Sequence, residues 1–122
     1  MKLQLAQTPG QQVFTAHGDG YVLVSGVRYE RPVVVMPERV ATDWAARDFA
    51  TLDESHFEYF LALRPEVLLL GTGPRIAFPH PRLYRALLDA HIGIECMDTP
   101  AVCRTYNILV AEDRKVVAAI LF

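Results

Sequence analysis

Cysteine is scarce in this sequence, with only Cys96 and Cys103 among 122 residues. Two thiols make no disulfide framework. The four histidines, His17, His56, His80 and His91, share no metal-ligand spacing with each other or with the cysteines, so neither a structural metal nor a cofactor is expected. Charge of one sign is also missing: twelve basic residues against fourteen acidic ones leave a net charge of -2. That balance gives no electrostatic reason to expect nucleic acid or an anionic membrane as a partner. No uninterrupted apolar run approaches the roughly 20 residues a membrane-spanning helix requires. The opening MKLQLAQTPG has no apolar stretch of signal-peptide length. The expectation is a soluble protein of a reducing, cytoplasmic compartment. There is no repeat period and no low-complexity tract.

What the chain does have is apolar content, 52% of its residues. A chain of this length buries roughly two-thirds of its unfolded surface, which suits one domain over residues 1–122 with a core of its own. Ten of the twelve basic residues are arginine. Planar carboxylate or phosphate pairing favours that residue, and so does genomic base composition; the second explanation is preferred.

The sequence is organised around Glu66 to Arg75, EVLLLGTGPR. Val67 to Leu70 leave no face for water, so they read as a strand covered on both sides and placed at the centre of a sheet with helices on its faces. Gly71-Thr72-Gly73-Pro74 is expected to end it in a turn. Upstream, Val13 to Ala16 and Tyr21 to Val24 flank His17-Gly18-Asp19-Gly20, a hairpin signal. Val27 to Tyr29 and Pro32 to Met36 read as one further strand, and Glu38 to Leu52 as a connector pinned to the core by Trp44. From Asp53, the residues Phe57, Phe60 and Leu61 recur at helical spacing until Pro65, with Asp53 or Thr51 as the cap.

A second helix is expected from Pro81, with Gly93 as its C-terminal cap. Ile92 to Met97 follow as a second buried strand, parallel to the first because a helix lies between them. Thr99 and Pro100 open a last helix whose stripe is Val102, Tyr106, Leu109 and Val110, leaving Ile108 apolar and without a partner. Val116 to Phe122 form a final strand too apolar for an edge. The second half is thus β-α-β-α-β behind an N-terminal β-hairpin layer.

The segments LLLGTGPR, GIECMDTPAVCRTYN and AEDRKVVAAILF together resemble the Mth938-like family of small α/β domains, to which a mitochondrial complex I assembly factor belongs. The most specific pieces are Gly71-Thr72-Gly73, Met97-Asp98-Thr99 and Cys103 to Asn107. The resemblance implies an α/β fold of three layers with a mixed central sheet, and it suggests assembly work through a protein partner.

In open α/β sheets ligands gather beyond the carboxyl ends of the strands, which makes the exits at Gly71 and Asp98 the place for a site. Gly71, Thr72 and Gly73 offer backbone N–H groups to an anion; Arg75 and Arg104 offer bidentate contacts; Asp98, Thr99 and Asn107 complete the candidate crevice. Against this stands a scaffold of polar contacts with no ligand, in which Asp98 pairs with Arg104 or Arg75. A dinucleotide fingerprint is excluded because Ile76 stands where its third glycine belongs. Cys103 has no neighbouring histidine and reads as a buried thiol; Cys96 reads as packing. The leading expectation is therefore a non-enzymatic protein-interaction or assembly factor. The alternative is an enzyme or binder of a small anionic ligand in that crevice, and a homodimer through Ile108 is a third reading.

Overall fold

A computed structural model describes residues 10–122. Two sheets organise them. In the smaller, β1 (Phe14–Gly18) and β2 (Tyr21–Val24) form the expected antiparallel hairpin, closed by Gly20 at φ 77°. β3 (Val27–Tyr29) adds to β2 after a turn at Ser25 and Gly26, both with positive φ. The single strand expected from Val27 to Met36 is two strands. Pro32 has no N–H for a ladder, and past it β4 (Val33–Val35) leaves the hairpin for the second sheet.

That sheet has the order β5-β4-β8-β6-β7, with β5 (Val40–Ala41), β6 (Val67–Thr72), β7 (Gly93–Met97) and β8 (Val116–Leu121). β6 runs parallel to β7 and β8, and β4 antiparallel to β8, so the sheet is mixed as expected. Two expectations fail here. The centre is β8, whose six residues are all buried, rather than β6. β7 is an edge strand and only partly covered, because the chain makes no further strand beyond it among the described residues. β5 lies inside the stretch read as a connector; two residues carry no periodicity to detect.

β6 also continues through Gly71 and Thr72 instead of stopping at Leu70. The glycine is tolerated in the ladder because α3 (Thr99–Ala111) crosses directly over it: a Cβ at Gly71 would lie 2.9 Å from Thr99 Oγ1 and 3.3 Å from Thr99 Cα. The turn comes at Gly73, φ 97°.

α1 (Glu54–Glu58) is capped by Asp53, whose carboxylate accepts from the Ser55 and His56 N–H groups while His56 Nδ1 accepts from Asp53 N–H. A 3-10 turn follows and the chain leaves it at Arg64, φ 47°, just before Pro65. Pro81 opens another 3-10 turn that passes into α2 (Arg85–Asp89). Gly93 does not cap it; the left-handed residue is His91, φ 60°, and Gly93 already belongs to β7. Likewise Asp98, not Thr99, caps α3, accepting from Ala101 N–H at 2.8 Å.

Successive residues of β6 face opposite sides, which is why its run has no polar position. Leu68 and Leu70 meet Trp44, Phe57, Phe60 and Leu87 beneath α1 and α2. Leu69 meets Phe14, Val22, Val102 and Tyr106, shared by α3 and the hairpin sheet. The architecture is three layers, and each fully buried Leu or Phe contributes about 1.5–3 kcal/mol relative to exposure. Trp44 is buried, with Nε1 donating to the His56 carbonyl at 2.9 Å.

Candidate functional site

The carboxyl ends of β6, β7 and β8 meet the first turn of α3, and one hydroxyl joins three of these elements. Thr99 Oγ1 accepts from Gly73 N–H at 2.9 Å and donates to the Leu121 carbonyl at 2.7 Å, while Thr99 N–H donates to the Gly73 carbonyl at 2.8 Å. Thr72 acts similarly one strand over. Its Oγ1 lies 2.7 Å from the Arg75 carbonyl and 3.2 Å from the Met97 carbonyl, and accepts from Ala77 N–H at 3.1 Å.

Above this junction opens a cleft of about 310 Å³. Gly73, Pro74, Thr99, Pro100 and Phe122 form one wall, and the hairpin turn, His17 to Gly20, forms the other. Of the eight expected site residues, only Gly73 and Thr99 line it. Gly71 and Thr72 are buried in the sheet below. Asp98 is committed to its cap. Asn107 holds the hairpin instead: its Oδ1 accepts from Phe14 N–H at 2.9 Å and its Nδ2 donates to the Phe14 carbonyl at 2.8 Å. Arg75 and Arg104 are exposed. The ion pairs among the described residues are Arg28–Glu30 and Arg114–Glu66, so Asp98 pairs with neither Arg104 nor Arg75.

The hairpin wall has no signature in the sequence. His17 to Gly20 read only as a turn, and nothing local says that Asn107 will bring that turn against Gly73. His17 is 7% exposed, and burial, with nearby positive charge that includes Arg104, lowers its pKa while Asp98 acts in the opposite sense. A Cβ at Gly18 would run into the Tyr21 ring, which would have to move aside.

The groups with nucleophilic character lie elsewhere. Cys103 lies on the buried face of α3, and burial pushes its thiol up to about 12. Cys96, on β7, is also raised by burial. No group of three or more histidine, cysteine or acidic side chains is placed to hold a metal ion among the described residues. Nor is any helix among them long and apolar enough to cross a membrane.

Comparison with known proteins places these features in a family. A profile described as a protein of unknown function (DUF498/DUF598) matches residues 14–121. The chain is 34% identical over 104 residues to NADH dehydrogenase [ubiquinone] 1 alpha subcomplex assembly factor 3 of Bos taurus, covering 84% of this chain and 55% of that protein. It thus spans about half the length of such curated relatives. A crystal structure of a Bordetella parapertussis protein is 42% identical with a TM-score of 0.86, covering 94% of this chain and 98% of that one. A Mth938-like domain from Bordetella pertussis, solved in solution, is 36% identical with a TM-score of 0.79, covering 99% and 92%. With the profile, the three-layer fold and these relatives in agreement, the chain belongs to the DUF498/DUF598 family of Mth938-like domains.

Proposed function

We propose that this chain works through contact with another protein, as an assembly factor for a larger complex, and that it catalyses no reaction of its own. One observation carries the reading. The polar side chains at the strand exits, Thr72, Asp98 and Thr99, and Asn107 further along α3, are each engaged with main-chain groups of this chain, so they serve the scaffold. The relatives named as assembly factors point the same way. The working picture is a single folding unit in the cytoplasm. Capture of the tagged chain after cross-linking in its native host tests it: a defined, stoichiometric partner is expected, and repeated recovery of none overturns the reading.

A second reading is favoured by the cleft itself. Its volume of about 310 Å³ lies at the lower end of the range for small-ligand pockets, with His17 in one wall and the Arg104 charge nearby. The Arg104 charge is what favours a small anion as the ligand, against the Asp19 carboxylate in the hairpin wall. A thermal-shift screen of phosphates, nucleotides and carboxylates decides: at about 100 times its Kd a ligand adds about 2.7 kcal/mol of stability. No shift with any of them removes this reading.

A further inference from the structure

We propose that the open edge of β7 is the docking site for the partner, which adds an extended segment as the next strand and carries lysine or arginine opposite Glu95; this rests on the protein-contact reading above. The two sheets present four edges, and three are blunted. On β1, Asn107 occupies both main-chain groups of Phe14, and the strand is irregular between Phe14 and Ala16. β3 is three residues long, and its Arg28 is paired with Glu30 and stacked over Tyr21. β5 is two residues long. β7 is different. It is five residues long, keeps unbroken register with β6 from Gly93 to Met97, and contains no proline, lysine or bulge. Sheets ordinarily guard such an edge, because its unpaired main-chain groups template another strand.

The direction of those groups follows from the ladder. Gly93 N–H donates to the Glu66 carbonyl at 3.2 Å, so Gly93, Glu95 and Met97 turn their main-chain groups toward β6. Ile94 and Cys96 then present theirs to the open side, and among the described residues no main-chain group meets them there. At the carboxyl end of β7, the Thr72 hydroxyl ties the loop of Arg75 and Ala77 to Met97. That loop carries Ile76 and Phe78, 53% and 72% exposed, an apolar shelf at the end of the strand. Main chain gives such a contact its affinity and alternate side chains give it specificity.

Charge selects the occupant. A two-fold pairing of β7 with a second copy of itself, centred on the strand, sets Glu95 against Glu95, which is destabilising. A basic residue at that place turns repulsion into attraction.

The test uses synthetic peptides of alternating valine and lysine, the same with glutamate for lysine, and one interrupted by proline, titrated into the isotope-labelled chain while amide exchange is followed. The lysine peptide is expected to slow exchange at Ile94 and Cys96 and to leave the hairpin sheet unchanged. The glutamate peptide is expected to bind roughly fivefold more weakly, the Glu95→Lys chain to reverse that order, and the proline peptide to protect nothing. Absence of protection at Ile94 and Cys96, or an order unchanged by Glu95→Lys, overturns the proposal. So does protection that rises with protein concentration alone, which marks a second copy on the edge. In the native host, equal recovery of a stoichiometric partner by the original and Glu95→Lys chains removes the edge while the protein-contact reading stands. Recovery of no partner by either chain removes that reading itself.

Discussion

Thr99 and Gly73 hold each other through two hydrogen bonds, Gly73 N–H to Thr99 Oγ1 at 2.9 Å and Thr99 N–H to the Gly73 carbonyl at 2.8 Å. The same hydroxyl donates to the Leu121 carbonyl, so the exits of β6 and β8 and the start of α3 are fixed by one side chain. Thr99→Val removes the hydroxyl and leaves a buried donor and a buried acceptor without it. The expected loss is roughly 3 kcal/mol by urea unfolding, while Thr99→Ser costs less than about 1 kcal/mol. Equal losses for both variants would show that the methyl, not the hydroxyl, matters.

Asn107 does for the hairpin what Thr99 does for the sheet. Asn107→Leu is similar in size but deprives both Phe14 main-chain groups of their partner. The expectation is a loss of about 2 kcal/mol. Hydrogen exchange should accelerate in β1, β2 and β3 well before β6 and β8 are affected. A uniform acceleration across both sheets would refute a local role.

The His17 pKa is lowered in the folded chain from its ordinary value of 6.5. As pH falls, the unfolded chain therefore takes up this proton first, and stability contributed by neutral His17 is lost from about pH 6.5 downward until the folded value is passed. Urea midpoints measured between pH 5 and 8 should decline toward the acid end more steeply than those of His17→Gln. Parallel curves would place the effect elsewhere.

Cys103 should be chemically silent while the chain is folded. Its thiol is buried, and its pKa of about 12 leaves almost no thiolate near neutrality. Mass spectrometry after alkylation is expected to find Cys103 unmodified in the native protein and fully modified in guanidinium. Modification in the native state would revive a nucleophilic role.

The parts of this fold that were legible in the sequence are those specified by neighbours in the chain. Val67 to Leu70 announce a doubly covered strand, Asp53 announces a helix start, and Gly18-Asp19-Gly20 announces a hairpin, each from local chemistry. What was not legible depends on distant partners. Pro32 looks like an interruption within one strand until its two sides are seen to join different sheets. Gly71 looks like a strand ender until Thr99 is seen above it. Gly73 and Thr99 are legible because both lie at strand exits, whereas His17 faces them through contacts between the hairpin and α3 such as Asn107–Phe14, across 93 positions of sequence separation. Caps are ambiguous for a simpler reason: Asp98 and Thr99 are adjacent and chemically equivalent for that purpose, and only the demand for a hydroxyl under Leu121 separates their roles.

The central place of β8 also bears on how the protein is made. Val33–Val35 and Val67–Thr72 have their common neighbour in residues 116–121, so while the ribosome is still working toward those residues two apolar strands wait without the one that separates them. Pairings so far apart in the chain form late and slowly. The nascent polypeptide is thereby exposed to aggregation, and its yield in a cell should depend on chaperone supply more than the stability of the finished domain suggests.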